Sequence, residues 1–261
     1  MSGFTGRYVF VAGLHRTGTS ILARLLAQHP EVATISHSPA PENEGCYLQG
    51  AIPHTALHGI PGHYATDPEQ HLTEECRFDT LETRTRLEQD WDRWFEEGGQ
   101  WRLEKSPVNL TRMRLYQQLF PLSQFVVILR HPAVMAAALA KWTDTPSDVL
   151  IDYALDAYEQ TLADCEYLHA AMVVRYEDLV ASPSLSPFWQ FLSLPEIEND
   201  VALKDGNADY PAVIPFSAEQ DERARRFGYG TGGAAKTFEP VIRHPLRTVR
   251  EATLAAFRPR A

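Results

Sequence analysis

Five short runs stand out as apolar-rich: 8–12 and 125–129 without a break, 172–175 up to a final arginine, and 31–36 and 101–104 with polar residues interspersed. Apolar runs of this length, alternating with helical patterns, predict buried strands of a parallel sheet. Between them, residues 21–27, 81–95, 132–142 and 149–169 carry apolar positions at helical spacing. Strand alternating with helix specifies βαβ units, so the expected fold is an α/β three-layer sandwich with a central parallel sheet flanked by helices. Trp91, Trp94, Phe95 and Trp101 recur near helical spacing and read as core.

Two stretches break the pattern. Residues 38–73 are rich in Pro, Gly and His with no sustained period, which reads as a long substrate loop or lid. Residues 195–261 read as an irregular closing segment, with the glycine-rich 227–233 as a flexible loop. At 261 residues the chain is expected to form one domain spanning 1–261.

The first strand runs into Gly13-Leu14-His15-Arg16-Thr17-Gly18-Thr19-Ser20 and then a helix. A strand, a glycine-flanked loop and a helix N-terminus aim backbone N–H groups and a helix dipole at one point, which suits a phosphate. The spacing is that of a P-loop, making the sandwich P-loop-type, except that Thr19 stands at the usual lysine position and the cation is Arg16. Without that lysine an NTP γ-phosphoryl group loses its main local charge, so ATP chemistry is disfavoured.

Composition narrows the partners. A net charge of −10 with no long basic cluster argues against a nucleic-acid surface. No stretch approaches the ~20 apolar residues that span a bilayer, and residues 1–7 lack the features of a secretory leader, so a cytoplasmic protein is expected. Cys46, Cys76 and Cys165 are too few and too scattered for a disulfide framework or a zinc site. His54, His58, His63 and His71 lack i, i+4 pairing and read as loop residues, not metal ligands.

Three further points carry chemistry. Lys105 stands where a buried strand must stop, because Pro107 cannot continue the ladder, and strand ends at the carboxyl edge of an α/β sheet form ligand sites. Arg130 ends another buried strand beside the N-terminus of the next helix, a place suited to bidentate phosphate binding. Two residues after the second strand could accept a proton, His37 and Glu44; imidazole needs less tuning near neutral pH, whereas Glu44 needs a raised pKa.

The P-loop variant, the Lys105-Ser106-Pro107 segment, Arg130-His131-Pro132 and Val174-Arg175-Tyr176-Glu177-Asp178 occur in the order found in sulfotransferases that use 3′-phosphoadenosine-5′-phosphosulfate (PAPS). The chain resembles that family, in particular a bacterial and plant branch marked also by Glu44-Gly45 and Gln49, and is more distantly similar to tyrosylprotein sulfotransferases. The resemblance implies transfer of a sulfuryl group from PAPS to a hydroxyl or amine, with release of adenosine 3′,5′-bisphosphate and no metal. It implies that His15, Arg16, Thr17, Gly18, Thr19 and Ser20 bind the 5′ end, Arg130 the 3′-phosphate and Tyr176 the adenine side. His37 falls where the tyrosylprotein relative has its catalytic glutamate, and Lys105 matches its strand-end lysine, so Arg16, Lys105 and His37 or Glu44 are the catalytic candidates. Relatives carry a serine eight residues after the arginine, where this chain has Ala138; Arg225, Arg226 or Lys236 are the expected compensation. The acceptor is a small molecule, a peptide or a glycan. Two other readings remain open at this stage: a P-loop kinase of a small metabolite and a catalytically silent nucleotide-binding module.

Overall fold

The computed structural model describes residues 7–53, 60–181, 184–198, 203–210, 213–233 and 235–257; His54 and His58 lie outside the described residues. Six strands form one sheet: β1 (Tyr8–Ala12), β2 (Val32–Thr34), β3 (Trp101–Lys105), β4 (Gln124–Leu129), β5 (Ala171–Arg175) and β6 (Val241–Arg243), in the order β2-β3-β1-β4-β5-β6. The first five are parallel; β6 runs antiparallel to β5, Met172 facing Ile242. The expected sheet is thus correct in its centre and mixed at one edge.

Alternation along β1 sorts its side chains into two cores. Tyr8, Phe10 and Ala12 join an aromatic layer in which Phe10 lies 4.7 Å from Tyr116 and Tyr8 lies 4.6 Å from Phe120, centroid to centroid. Val9 and Val11 face the other way, toward Leu22, Trp101 and Trp189. Helices cover both faces: α1 (Thr19–Leu26), α2 (Leu81–Trp91), α3 (Met113–Leu119), α4 (Pro132–Leu139), α5 (Ser147–Cys165), α6 (Tyr176–Ala181) and α7 (Ser186–Leu192), followed by α8 (Ala218–Arg225) and α9 (Arg247–Ala256).

Several elements depart from expectation for local reasons. The α2 helix stops at Trp91, and Phe95 instead bridges Ile35 in antiparallel fashion, extending the edge beyond β2. The described part of 195–261 is not irregular throughout: it contributes α8, with a full capping box from Ser217 and Gln220, then β6 and α9. Nor is 227–233 loose throughout, since Phe227 and Tyr229 are fully buried and Arg175 Nη1 donates to Gly228 O at 2.6 Å. The described part of 38–73 is likewise anchored. The buried Tyr64 hydroxyl donates to Pro107 O at 3.0 Å, and Leu72 N donates to Thr111 O at 2.8 Å. No helix among the described residues is long and apolar enough to cross a membrane.

Candidate active site

The loop after β1 is a tight turn. Thr17 gives both its amide (3.2 Å) and its hydroxyl (2.7 Å) to Leu14 O. Gly18 follows as the N-cap of α1 with φ +106°, and a Cβ there would lie 2.9 Å from Tyr176 Cδ2. Only glycine fits a left-handed position against that ring. Gly18 gives α1 no side-chain cap, so among the described residues the amides of its first turn, which opens with Thr19 and Ser20, are suited to an anion. Arg16, also left-handed at φ 71°, sends its guanidinium to the Tyr210 hydroxyl (3.2 Å) and to 5.0 Å from the centre of the Trp142 ring.

These residues line a cleft of about 450 Å³ at the carboxyl edge of the sheet, together with Glu44, Arg130, Tyr176 and Tyr210. At one end, Arg130 is 6% exposed. Its Nε donates to Asn207 Oδ1 (2.8 Å), its Nη1 to Arg16 O (2.8 Å), and its guanidinium lies 4.5 Å over the Tyr176 ring. Among the described residues it has no carboxylate within ion-pair distance. A nearly buried cation whose partners are neutral oxygens fits an anionic ligand better than a structural ion pair. Gly206 closes this end so tightly that a Cβ would stand 3.0 Å from the Tyr176 hydroxyl and 3.3 Å from Arg130 Nη2.

At the other end, Lys105 is the last residue of β3, in register with Val11. Its Nζ donates to Glu44 Oε1 at 2.9 Å, with the two side chains 6% and 12% exposed. Burial raises the Glu44 pKa against the opposing pull of Lys105, and the negative charges of Glu104 and Glu42 add to the rise. Lys105 also borders a second hollow of about 390 Å³, which shares Ser20, Arg24 and Glu42 with the main cleft. His15 packs edge-on against Tyr64, 5.4 Å between ring centres, and its buried Nδ1 has no hydrogen-bond partner among the described residues. Desolvation and the nearby Lys105 charge lower its pKa to about 4, so it is neutral in neutral solution.

The sequence-predicted residues divide cleanly. His15, Arg16, Gly18, Thr19, Ser20, Glu44, Arg130 and Tyr176 line the cleft, Thr17 braces the loop beneath it, and Lys105 bonds to Glu44 at its edge. His37 does not line the cleft. It is exposed in a left-handed turn (φ 51°), and its ring makes no hydrogen bond among the described residues. Arg225 and Arg226 do not reach the cleft either; they sit at the end of α8, exposed and paired with Asp221 and Glu159. Lys236 is exposed and lines no part of it. Ala138 is fully buried within α4, away from the lining. His71 pairs with Asp164 at 2.9 Å and His63 is exposed. Among the described residues no three His, Cys, Asp or Glu side chains gather as a metal site would require.

Four contributors escaped sequence reasoning. Asn207 and Tyr210 come from a 3-10 turn and the residue after it, Trp142 from the turn after α4, and Glu177 from the first turn of α6. Glu177 accepts from His131 N (2.9 Å), Asn207 Nδ2 (2.9 Å) and the Tyr229 hydroxyl (3.1 Å). Its acidity just after a strand was the available signal.

Residues 8–186, more than half of the chain, match the model of the sulfotransferase family. Among solved structures, the chain is similar to the sulfotransferase domain of the Synechococcus PCC 7002 olefin synthase. The TM-score is 0.51 at 16% identity, over 85% of this chain and 94% of that one, which is a likeness of fold. A sulfotransferase from Alicyclobacillus acidocaldarius aligns at a TM-score of 0.48 and 17% identity, over 82% of this chain and 92% of that one. STF9, a sulfotransferase from Mycobacterium avium, aligns at 0.47 and 15%, over 84% and 67%. No curated protein sequence matches the chain.

Proposed function

The chain belongs to the sulfotransferase family, and from that premise we propose that it moves a sulfuryl group from PAPS to a hydroxyl or amine acceptor, releasing adenosine 3′,5′-bisphosphate. The observation that carries this reading is the presence of two separate positions along one cleft that suit an anion. One is the uncapped start of α1 with Arg16; the other is Arg130, nearly buried and without a carboxylate partner among the described residues. A nucleotide phosphorylated at both its 5′ and 3′ positions needs two such seats, whereas the linear phosphate chain of ATP needs one seat and an acid for magnesium.

PAPS would supply a sulfuryl group already activated on a phosphate leaving group. Transfer then demands positioning, charge stabilisation and removal of one proton. In this reading Glu44 takes the acceptor proton as the acceptor oxygen or nitrogen bonds to sulfur. The S–O bond to the 5′-phosphate breaks, and its electron pair leaves on that phosphate, where Arg16, the loop amides and the Thr19 and Ser20 hydroxyls meet the charge. Lys105 steadies the sulfuryl oxygens from the strand end, and Tyr176 flanks the nucleoside. Glu44 is preferred over His37 because it lines the cleft, bonds Lys105 and has the raised proton affinity a base requires. The acceptor is a small molecule, a peptide or a glycan.

Calorimetric titration with adenosine 3′,5′-bisphosphate and with ADP tests the reading. Preference for the bisphosphate is expected. Tighter ADP binding would favour a kinase, and bisphosphate binding without turnover of PAPS in any acceptor panel would favour a silent binding module.

A further inference from the structure

Glu104 is a carboxylate with no solvent exposure, set one residue before Lys105 in β3 and opposite Phe10 in the register. Because successive strand residues alternate faces, one strand end supplies Lys105 to the cleft and Glu104 to the interior. Oε1 accepts from Gly45 N at 2.8 Å and from the Ser106 hydroxyl at 2.5 Å, while Oε2 accepts from Asn109 Nδ2 at 2.6 Å. The Ser106 oxygen accepts in turn from Cys46 N at 3.1 Å, and Trp91 Nε1 donates to Gly45 O at 2.9 Å. A Cβ on Gly45 would fall 2.7 Å from Glu104 Oε1. The two amides that follow Glu44 are therefore both tied down, one directly and one through Ser106.

We propose that Glu104 is the positioning residue of this site: it clamps the Gly45 and Cys46 amides so that the Glu44 carboxylate is held against Lys105 at the edge of the cleft. Glu104 touches no reactant and acts through Glu44, so its effect on turnover rests on the sulfuryl-transfer reading. A carboxylate is needed because three donors converge on its two oxygens. Glutamine has the same shape but would turn an N–H₂ group toward at least one of them.

The test compares wild type with Glu104→Gln, Ser106→Ala, Glu44→Gln and the double variant Glu44→Gln/Glu104→Gln. Slow transfer to water, read as adenosine 3′,5′-bisphosphate released from PAPS, needs no known acceptor. Glu104→Gln is expected to lower turnover at saturating PAPS by about tenfold or more, leaving bisphosphate affinity and the KM for PAPS within about twofold. Added to Glu44→Gln it should cost nothing further, since both act at one carboxylate. Ser106→Ala should give a smaller fall of the same kind and serves if Glu104→Gln does not fold. Hydrogen exchange supplies a readout independent of turnover: Gly45 and Cys46 amides should exchange faster in Glu104→Gln, and Cys46 alone in Ser106→Ala. Unchanged exchange at both amides, or unchanged turnover with PAPS, would overturn the proposal, as would losses that add to those of Glu44→Gln. If wild type neither binds the bisphosphate nor turns over PAPS, the sulfuryl-transfer reading fails, and amide exchange still decides the clamp.

Discussion

Lys105 Nζ and Glu44 Oε1 are 2.9 Å apart although their residues are 61 positions apart in sequence. The ammonium closes β3 and the carboxylate stands between two short 3-10 turns, so a rigid strand end meets a turn that the core holds from below. A carboxylate paired in this way keeps its geometry without substrate, which under the proposed reading removes an ordering cost from the chemical step.

Glu44→Gln and His37→Ala should separate sharply. With Glu44 lining the cleft and His37 outside it, Glu44→Gln is expected to slow the chemical step by ~100-fold or more, while His37→Ala stays close to wild type. Single-turnover kinetics with PAPS measures both. A dead His37→Ala with an active Glu44→Gln would reverse the assignment.

Arg130→Ala should weaken adenosine 3′,5′-bisphosphate far more than AMP. Losing charge-assisted contacts to a phosphate costs about 1.5–3 kcal/mol, and only the bisphosphate has the second phosphate to lose. Equal losses for both ligands in calorimetry would move the 3′ seat elsewhere.

His15 should make the fold sensitive to acid in a defined window. Its pKa falls from 6.5 to about 4 on folding, chiefly by desolvation, so between those values the unfolded chain binds a proton that the folded chain refuses. Stability therefore declines as pH drops from 6.5 toward about 4 and the loss is complete below it, amounting to roughly 3 kcal/mol. In denaturant titrations across this range, His15→Gln should flatten the decline relative to wild type. A parallel slope in both proteins would remove His15 as its source.

Ala138→Ser should not strengthen nucleotide binding, because position 138 is sealed inside α4 rather than open to the cleft. Lys141 is a cation near this end of α4: it donates to the Tyr210 hydroxyl at 3.3 Å, as Arg16 does at 3.2 Å. Burial pushes the Tyr210 pKa up, yet these two cations hold it below the ordinary phenol value. Lys141→Ala should raise it in a spectrophotometric titration, and an unmoved phenol would show that Arg16 alone sets it.

The central strands and the phosphate loop were legible because their signals are local. Val9, Val11, Val126, Val127 and Ile128 are apolar without interruption, and Gly13 and Gly18 bracket the one turn that needs them. Elements with weak or short patterns were not. Only three residues make up β6, all half-buried, and α6 and α7 have six and seven residues, too short to establish a period. The site itself was half visible. Lys105, Arg130 and Glu44 stand out by type and position, but Asn207 and Tyr210 reach Arg130 and Arg16 from 77 and 194 residues away, a distance no periodicity reports. Glu104 was hidden differently: it reads as one more charge beside Lys105, and only burial reveals its purpose.

The carboxylate of Glu177 ties the start of α4, the turn that carries Asn207 and the segment around Tyr229 to one point. These partners reach from His131 to Tyr229, and the His131 ring is itself bonded to Gly230 O, 99 positions further along the chain. During synthesis, a nascent chain that has emerged only through α7 owns the phosphate loop and Arg130 but lacks the cover over them. The cleft thus gains the wall that carries Asn207 and Tyr210 only after both of its arginines have been made, and a chain stopped before Asn207 would leave Arg16 and Arg130 without those partners.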